Sequence, residues 1–219
     1  MLARAGNPMA VCSICERRKG KRTCPAKGAK ICPQCCGEHR ERTLDCPFSC
    51  TYLQQAHQTE PVGFPPEETP YRDVRLDDPF LRDHSDLIAA CARGAALAIQ
   101  QSDGALDSDA KQALDALVET YQTLAKGILY ESRPQSPYAR TMVETVRESA
   151  EAFRTQETEQ TGITRTRDED VLKALVFLRR LAEAQDNSRA RSRRFLHFLV
   201  QQFPVEPAEP ESPIIIPGR

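Results

Sequence analysis

The chain has 219 residues, of which nine are cysteine and none is tryptophan, and its formal net charge is −1. Aromatic residues make up only 6% of it, and Ala, Leu, Gln, Glu and Arg dominate the second half, which favours helices over sheets. The chain lacks both a signal-peptide-like apolar run near its start and the eighteen consecutive apolar residues of a membrane helix. We therefore expect a soluble, cytoplasmic protein without a membrane partner.

A cysteine-rich segment, residues 1–57, comes first and is predicted to be a zinc finger. Eight of the nine cysteines lie between positions 12 and 50, and in a reducing compartment such clustering indicates metal binding. The pairs CSIC and CPQC are separated by sixteen residues, a spacing typical of a zinc site. The candidate ligands are Cys12, Cys15, Cys24, Cys32, Cys35, Cys36, His39, Cys46 and Cys50.

Nine candidates are one more than two tetrahedral Zn²⁺ ions require, so we predict two ions in an alternating arrangement. The first and third ligand pairs would hold one ion: Cys12, Cys15, Cys32 and either Cys35 or Cys36. The second and fourth would hold the other: Cys24, His39, Cys46 and Cys50. Whether one or two ions bind, and which of the two adjacent cysteines is a ligand, stays open at this point.

The order of these motifs carries a resemblance. CSIC, TCPA, ICPQCC, a nearby histidine and CPFSC together resemble the cross-braced two-zinc fingers of the HIT and MYND types, over residues 12–50 only. The chain departs from that pattern at 24–27, where it reads CPAK instead of a second CxxC. The sequence is also similar to uncharacterised bacterial proteins with CCGEHR and CPxxC, a likeness that supplies no function. Fingers of the resembled types mostly bind proteins, which implies an adaptor with a protein partner.

The metal is predicted to be structural. A segment this poor in apolar residues cannot stabilise itself by burial, so metal–ligand bonds would supply its folding energy. A catalytic zinc would need an open coordination position. A sulfur-rich set with more candidate ligands than two ions require does not indicate one. Because no phosphate loop, GxSxG or HExxH pattern is present either, we expect neither an enzyme nor a small-molecule substrate.

Positive charge is concentrated near the start of the chain. Residues 1–45 contain ten Lys or Arg and four acidic residues, a formal +6, against −7 for the remainder. Ionised cysteines and two zinc ions would reduce that excess to about +3, since thiolates carry negative charge. The basic residues that remain lie mainly in RRKGKR: Arg17, Arg18, Lys19, Lys21 and Arg22. They suggest nucleic acid as the alternative partner, although an acidic protein surface or a solvated loop would also suit them.

A proline-rich linker, residues 58–76, is predicted to separate the finger from an antiparallel four-helix bundle at 77–203, which makes the fold class mostly α. Asp78 and Pro79 would begin the first helix, which contains Cys91 as a small core residue. The second would begin near Asp107, and the third at Ser136 and Pro137.

The fourth helix would begin with a capping box formed by Thr166 and Glu169. Its apolar stripe is interrupted at 185–194, QDNSRARSRR, where the helix either pauses or runs past the bundle before FLHFLVQQF. The arginines of this stretch are predicted to form a solvated basic patch, which the nucleic-acid alternative would also use: Arg189, Arg191, Arg193 and Arg194.

The tail, residues 204–219, is predicted to be flexible because it is acidic and rich in proline. It ends with PIIIPGR, and three exposed isoleucines would be an aggregation liability. We therefore expect Ile214, Ile215 and Ile216 to dock, either on the chain's own helical region or on a partner by strand addition.

Overall fold

A computed structural model gives the fold and describes residues 11–61, 63, 69–102 and 104–205. Over these ranges the protein has eight helices and one two-stranded antiparallel sheet, so the predicted mostly α class is confirmed. None of these helices is both long enough and apolar enough to span a bilayer.

The cysteine-rich segment forms a small unit around its own core. Its elements are β1 (Arg22–Cys24), β2 (Ala29–Ile31), α1 (Pro33–His39) and α2 (Thr51–Thr59). Besides cysteines, the buried core of this part of the described chain contains only Ile31, Leu44 and Leu53. Three such side chains supply little hydrophobic stabilisation for a unit of this size.

The helical region follows after residue 77. Its elements are α3 (Asp78–Asp83), α4 (Ser85–Gln100), α5 (Asp107–Leu124), α6 (Pro137–Thr161), α7 (Asp168–Ala184) and α8 (Arg194–Gln202). Both α4 and α5 pack against α6 and α7, and α8 packs against α4 and α5. Phe195, Leu196 and Leu199 of α8 belong to the same buried core. The antiparallel four-helix bundle stays a prediction, since α8 completes this core alongside the four long helices.

The helix starts agree with the predicted cap signals to within one residue. Ser136 caps α6 as predicted, because its hydroxyl accepts a hydrogen bond from the backbone N–H of Ala139 (3.4 Å). Asp77 is the N-cap of α3 in place of the predicted Asp78, and the first predicted helix is divided in two at His84.

The capping box predicted for the fourth helix is displaced by one residue. The carboxylate of Asp170 accepts a hydrogen bond from the backbone N–H of Arg167 (2.8 Å), and α7 begins at Asp168. The prediction based on Thr166 and Glu169 is therefore wrong. The helix does pause in the polar stretch, because α7 ends at Ala184 and α8 begins ten residues later, at Arg194.

Small residues allow α4 and α6 to approach closely. A β-carbon at Gly94 would lie 2.8 Å from the carbonyl oxygen of Thr145 and 2.6 Å from Ser149 Oγ, so a side chain has no room there. Farther along, Gly104 lies against the ring of Tyr138. The two helices therefore run antiparallel, with the end of α4 beside the start of α6.

Candidate metal centre

Four cysteines from two separate segments meet on one side of the finger. The sulfurs of Cys12, Cys15, Cys32 and Cys35 all lie within 4.8 Å of one another, so the set could hold a metal ion. A tetrahedral zinc with Zn–S bonds of about 2.3 Å would space its sulfurs by about 3.8 Å. No disulfide joins them, since all nine cysteines are free thiols. This set is called cluster one.

Hydrogen-bond donors from the backbone and from Arg18 surround the sulfurs of cluster one and favour thiolates. Cys32 is the N-cap of α1, and its sulfur accepts a hydrogen bond from the backbone N–H of Cys35 (3.4 Å). The Arg18 side chain donates to the sulfurs of Cys32 (3.2 Å, from Nε) and Cys35 (3.5 Å, from Nη2). Backbone N–H donors at Arg17 and Arg18 lower the pKa of Cys15 to about 6. Such donors favour the ionised sulfur that binds metal.

The other four cysteines of the finger line a small cavity beside α1. Cys24 ends β1, Cys36 lies in α1, and Cys46 and Cys50 flank the turn before α2. All four are buried, and burial raises the pKa of Cys46 to about 11. Their sulfurs are not drawn as close together as those of cluster one. This set is called cluster two.

Helix α1 separates the adjacent cysteines whose assignment the sequence left open. Cys35 belongs to cluster one, whereas Cys36 lines the cavity of cluster two. Neighbouring residues of an α-helix point about 100° apart, which explains how two adjacent sulfurs serve different sites. His39, predicted to join Cys24, does not line that cavity. Its Nδ1 lies 2.8 Å from Thr43 Oγ1, and His39 forms a further possible ligand group with Glu38 and Cys35, whose ligand atoms lie within 4.8 Å of one another.

The basic loop, residues 17–22, contains basic side chains that make structural contacts and basic side chains that are exposed. Arg18 is used by cluster one, and the guanidinium of Arg22 lies over the ring of Tyr52 at 4.7 Å. The remaining three basic side chains are exposed: Arg17, Lys19 and Lys21.

A buried carboxylate joins the finger to the helical region. Glu41 is 0% exposed and lies along the chain between Cys36 and Cys46, two residues of cluster two. Its carboxylate accepts hydrogen bonds from His57 Nε2 (3.0 Å), the backbone N–H of Arg193 (2.8 Å) and Asn187 Nδ2 (3.0 Å). Its own carbonyl accepts from the backbone N–H of Arg191 (2.8 Å). Burial alone would raise the pKa of Glu41, but these donors hold it below its ordinary value.

Arginines of the polar stretch complete this interface. The Arg193 guanidinium donates to Asp45 (2.6 Å) and to the carbonyl of Cys46 (2.9 Å), and that of Arg194 donates to the carbonyl of Glu60 (2.7 Å). Both arginines are less than 5% exposed. The prediction of a solvated basic patch is therefore wrong for Arg193 and Arg194, because both side chains are buried where they bind the finger.

Two histidines extend the same interface. Nδ1 of His57 lies 3.2 Å from Nδ1 of His197, whose Nε2 lies 3.0 Å from the side-chain amide of Gln201. One neutral tautomer of each ring is enough to form this whole row of hydrogen bonds. The side-chain amide of Gln201 donates to His197, His197 donates to His57, and His57 donates to Glu41. This arrangement uses His57 in packing between domains, not as an additional metal ligand.

No local sequence pattern indicates the role of Glu41. It stands among polar residues, and its backbone lies in the left-handed region at φ +53°, as do those of three other non-glycine residues in the described ranges. Its partners lie up to 152 positions away, so no local pattern could reveal them. Cys91 is buried in the core of the helical region, as predicted. Ile214, Ile215 and Ile216 lie outside the described residues.

Comparison with known proteins supplies no relative for this chain: no family model, curated protein or solved structure matches it.

Proposed function

We propose that this protein is a zinc-stabilised, non-catalytic adaptor that binds a protein partner, with one Zn²⁺ ion in each cysteine cluster. The observation that carries the proposal is the division of the eight finger cysteines into two sets, with Cys35 of α1 in one and Cys36 in the other. All-thiolate donor sets suit Zn²⁺ among the common metals, and the sulfurs of cluster one already lie within 4.8 Å of one another.

A structural role for the metal is supported by the composition of the finger core. With three large apolar side chains besides cysteine, the unit needs another source of folding energy, and thiolate–zinc bonds provide it. Four thiolates also fill the coordination shell of zinc, which leaves no position for a substrate or an activated water.

The face available to a partner is the exposed basic loop. The helical region contacts the finger through Glu41, Asp45 and Glu60. Arg17, Lys19 and Lys21 are exposed and make none of these contacts, so an acidic protein surface would complement them.

Nucleic acid is the alternative partner, and two observations weigh against it. Arg193 and Arg194, which would extend the basic surface, are buried against the finger. Tyr52, an aromatic ring beside the loop, is covered on one face by the guanidinium of Arg22, which leaves less of it for base stacking. The three exposed cations of the loop alone would give weak, salt-sensitive phosphate contacts.

The adaptor proposal predicts protein adducts at the basic loop. A photo-crosslinking amino acid in place of Lys19, in cells, should yield adducts that protease removes and nuclease leaves intact. The same amino acid in place of Lys126, an exposed residue after α5, is the matched control and should not give those adducts. Adducts lost after nuclease treatment, or identical adducts at both positions, would contradict the proposal.

A salt titration separates the alternative further. Replacing Arg17, Lys19 and Lys21 by Ser leaves Arg18 and Arg22 in their structural contacts. If the loop bound duplex DNA, the slope of log affinity against log salt should fall by about 0.9 for each lost cation. We expect no such change relative to a control with Arg75, Lys126 and Arg165 replaced by Ser.

A further inference from the structure

A groove between α5 and α6 is walled by apolar and charged side chains. It encloses about 540 Å³ and is bounded on one side by residues 128–134, which are called the strap. Leu117, Tyr121 and Leu124 of α5 line one wall, and Val143 of α6 lines the other. A second cavity, of about 330 Å³ between α4 and α6, is lined almost entirely by polar side chains.

Three apolar side chains of the strap are exposed to solvent. Leu129 is 92% exposed, Tyr130 57% and Ile128 54%, although they are consecutive. The strap itself is fixed in place, since the carbonyl of Tyr130 accepts from Thr123 Oγ1 (3.3 Å) and Glu131 pairs with Arg147 (2.9 Å). A fixed, contiguous apolar surface beside a groove is characteristic of a docking site.

The groove also offers positive charge. Arg133 on the strap has no hydrogen-bond or ion-pair partner among the residues that the structure describes. It lines the groove together with two further arginines, Arg140 and Arg147, and two acids, Glu131 and Glu144. Since Glu131 pairs with Arg147, Arg133 is the cation left to pair with an occupant. An occupant that combines an acidic stretch with a few branched apolar side chains would match this lining.

Residues 206–219 of this chain have that composition. Their sequence, EPAEPESPIIIPGR, places three glutamates before three isoleucines. Four prolines keep such a segment extended and reduce the conformational entropy lost on docking. We propose that this tail segment occupies the groove, with Ile214–Ile216 against the apolar wall and the glutamates near Arg133.

The end of the described chain lies close enough to the groove for the tail segment to reach it. The carbonyl of Val205 accepts a hydrogen bond from Gln100 Nε2 (3.1 Å) at the end of α4. Since Gly94 faces Thr145–Ser149 and the helices are antiparallel, Gln100 lies level with about position 141 of α6. The groove-lining residues of α6 occupy the same level on its opposite side, about one helix diameter, or 10–12 Å, away. Nine extended residues, 206–214, span about 28 Å, which is enough to pass around α6.

The test uses the absence of tryptophan from the native chain. Tyr130→Trp places a single fluorophore on the strap, and its emission reports whether the strap is covered. We expect emission typical of a buried indole in the full chain, and a shift to longer wavelength when residues 206–219 are deleted. A synthetic peptide of residues 206–219, added to the deleted protein, should reverse the shift in a saturable way.

Matched variants make the result specific. The peptide with Ile215→Asp should fail to reverse the shift, and Arg133→Glu in the protein should weaken the native peptide by about three- to fivefold. Ile163→Trp, on an exposed loop before α7, should show no response to the deletion. Unchanged metal content and helical circular dichroism would show that the deleted protein is folded.

Each other outcome overturns the proposal. Equal emission with and without the tail would mean that the groove has another occupant or none. A shift in the full chain that depends on protein concentration would identify a second copy as the occupant.

Discussion

Replacing Cys12 by Ala is expected to unfold the finger while leaving the core of the helical region folded. Cys12 is 0% exposed and contributes one of four sulfurs to cluster one. Structural zinc contributes about 10–16 kcal/mol to the folding of small zinc fingers, far more than the three apolar side chains of this core can replace. Metal content should fall by at least one ion per chain. Backbone amides of β1, β2 and α1 should exchange at least about a hundredfold faster, because their protection depends on the folded finger.

Cys91→Ala is the matched control for this experiment. Cys91 is also 0% exposed, but it lies in α4 and burial raises the pKa of its thiol to about 12, as for an inert core thiol. We expect full metal content and a loss of about 1 kcal/mol from the small cavity. A Cys12→Ala protein with the metal content and exchange pattern of Cys91→Ala would show that cluster one does not hold a metal.

Replacing Glu41 by Ala is expected to detach the finger from the helical region without removing its metal. The buried carboxylate is the common acceptor for His57, Arg193 and Asn187. Its loss leaves those donors unsatisfied and removes the 3.5 Å ion pair with Arg189, which together cost about 3–5 kcal/mol. The amides of α8 and of the polar stretch before it should exchange faster, whereas metal content should not change.

Glu38→Ala is the control for Glu41→Ala. Glu38 is exposed and accepts one hydrogen bond, from Gln34 (2.8 Å), so its replacement should change the free energy of unfolding by at most about 0.5 kcal/mol. If both variants lost similar stability, the interface around Glu41 would not hold the finger in place. If Glu41→Ala lost metal, the carboxylate would instead be part of the metal centre.

The cysteine spacing predicted the metal-binding segment because the two cysteines of each ligand pair lie close together in the sequence. Two residues between sulfurs already place both near one ion, whatever the rest of the chain does. The choice between Cys35 and Cys36 could not be made from spacing, since either sulfur could reach the first ion. It depends on the rotation of α1, which is fixed by the N-cap at Cys32.

The buried arginines show what local sequence could not predict. A run such as RARSRR indicates a solvated surface unless acidic partners lie nearby in the fold. The partners of Arg193 are Asp45 and a carbonyl 147 positions away, and only the folded finger brings them together. The capping error at Thr166 has a local cause: Asp170 provides the same signal one residue later, and the chain uses it.

Native mass spectrometry of the purified chain, with a parallel thiol count, tests most directly whether thiolate-bound metal creates order in the finger. We predict two zinc ions per chain. We also predict that eight thiols become reactive, and that the finger amides lose protection, when a strong chelator removes the zinc. A chain that carries no metal, or that keeps the protection of its finger amides after complete chelation, would contradict the account.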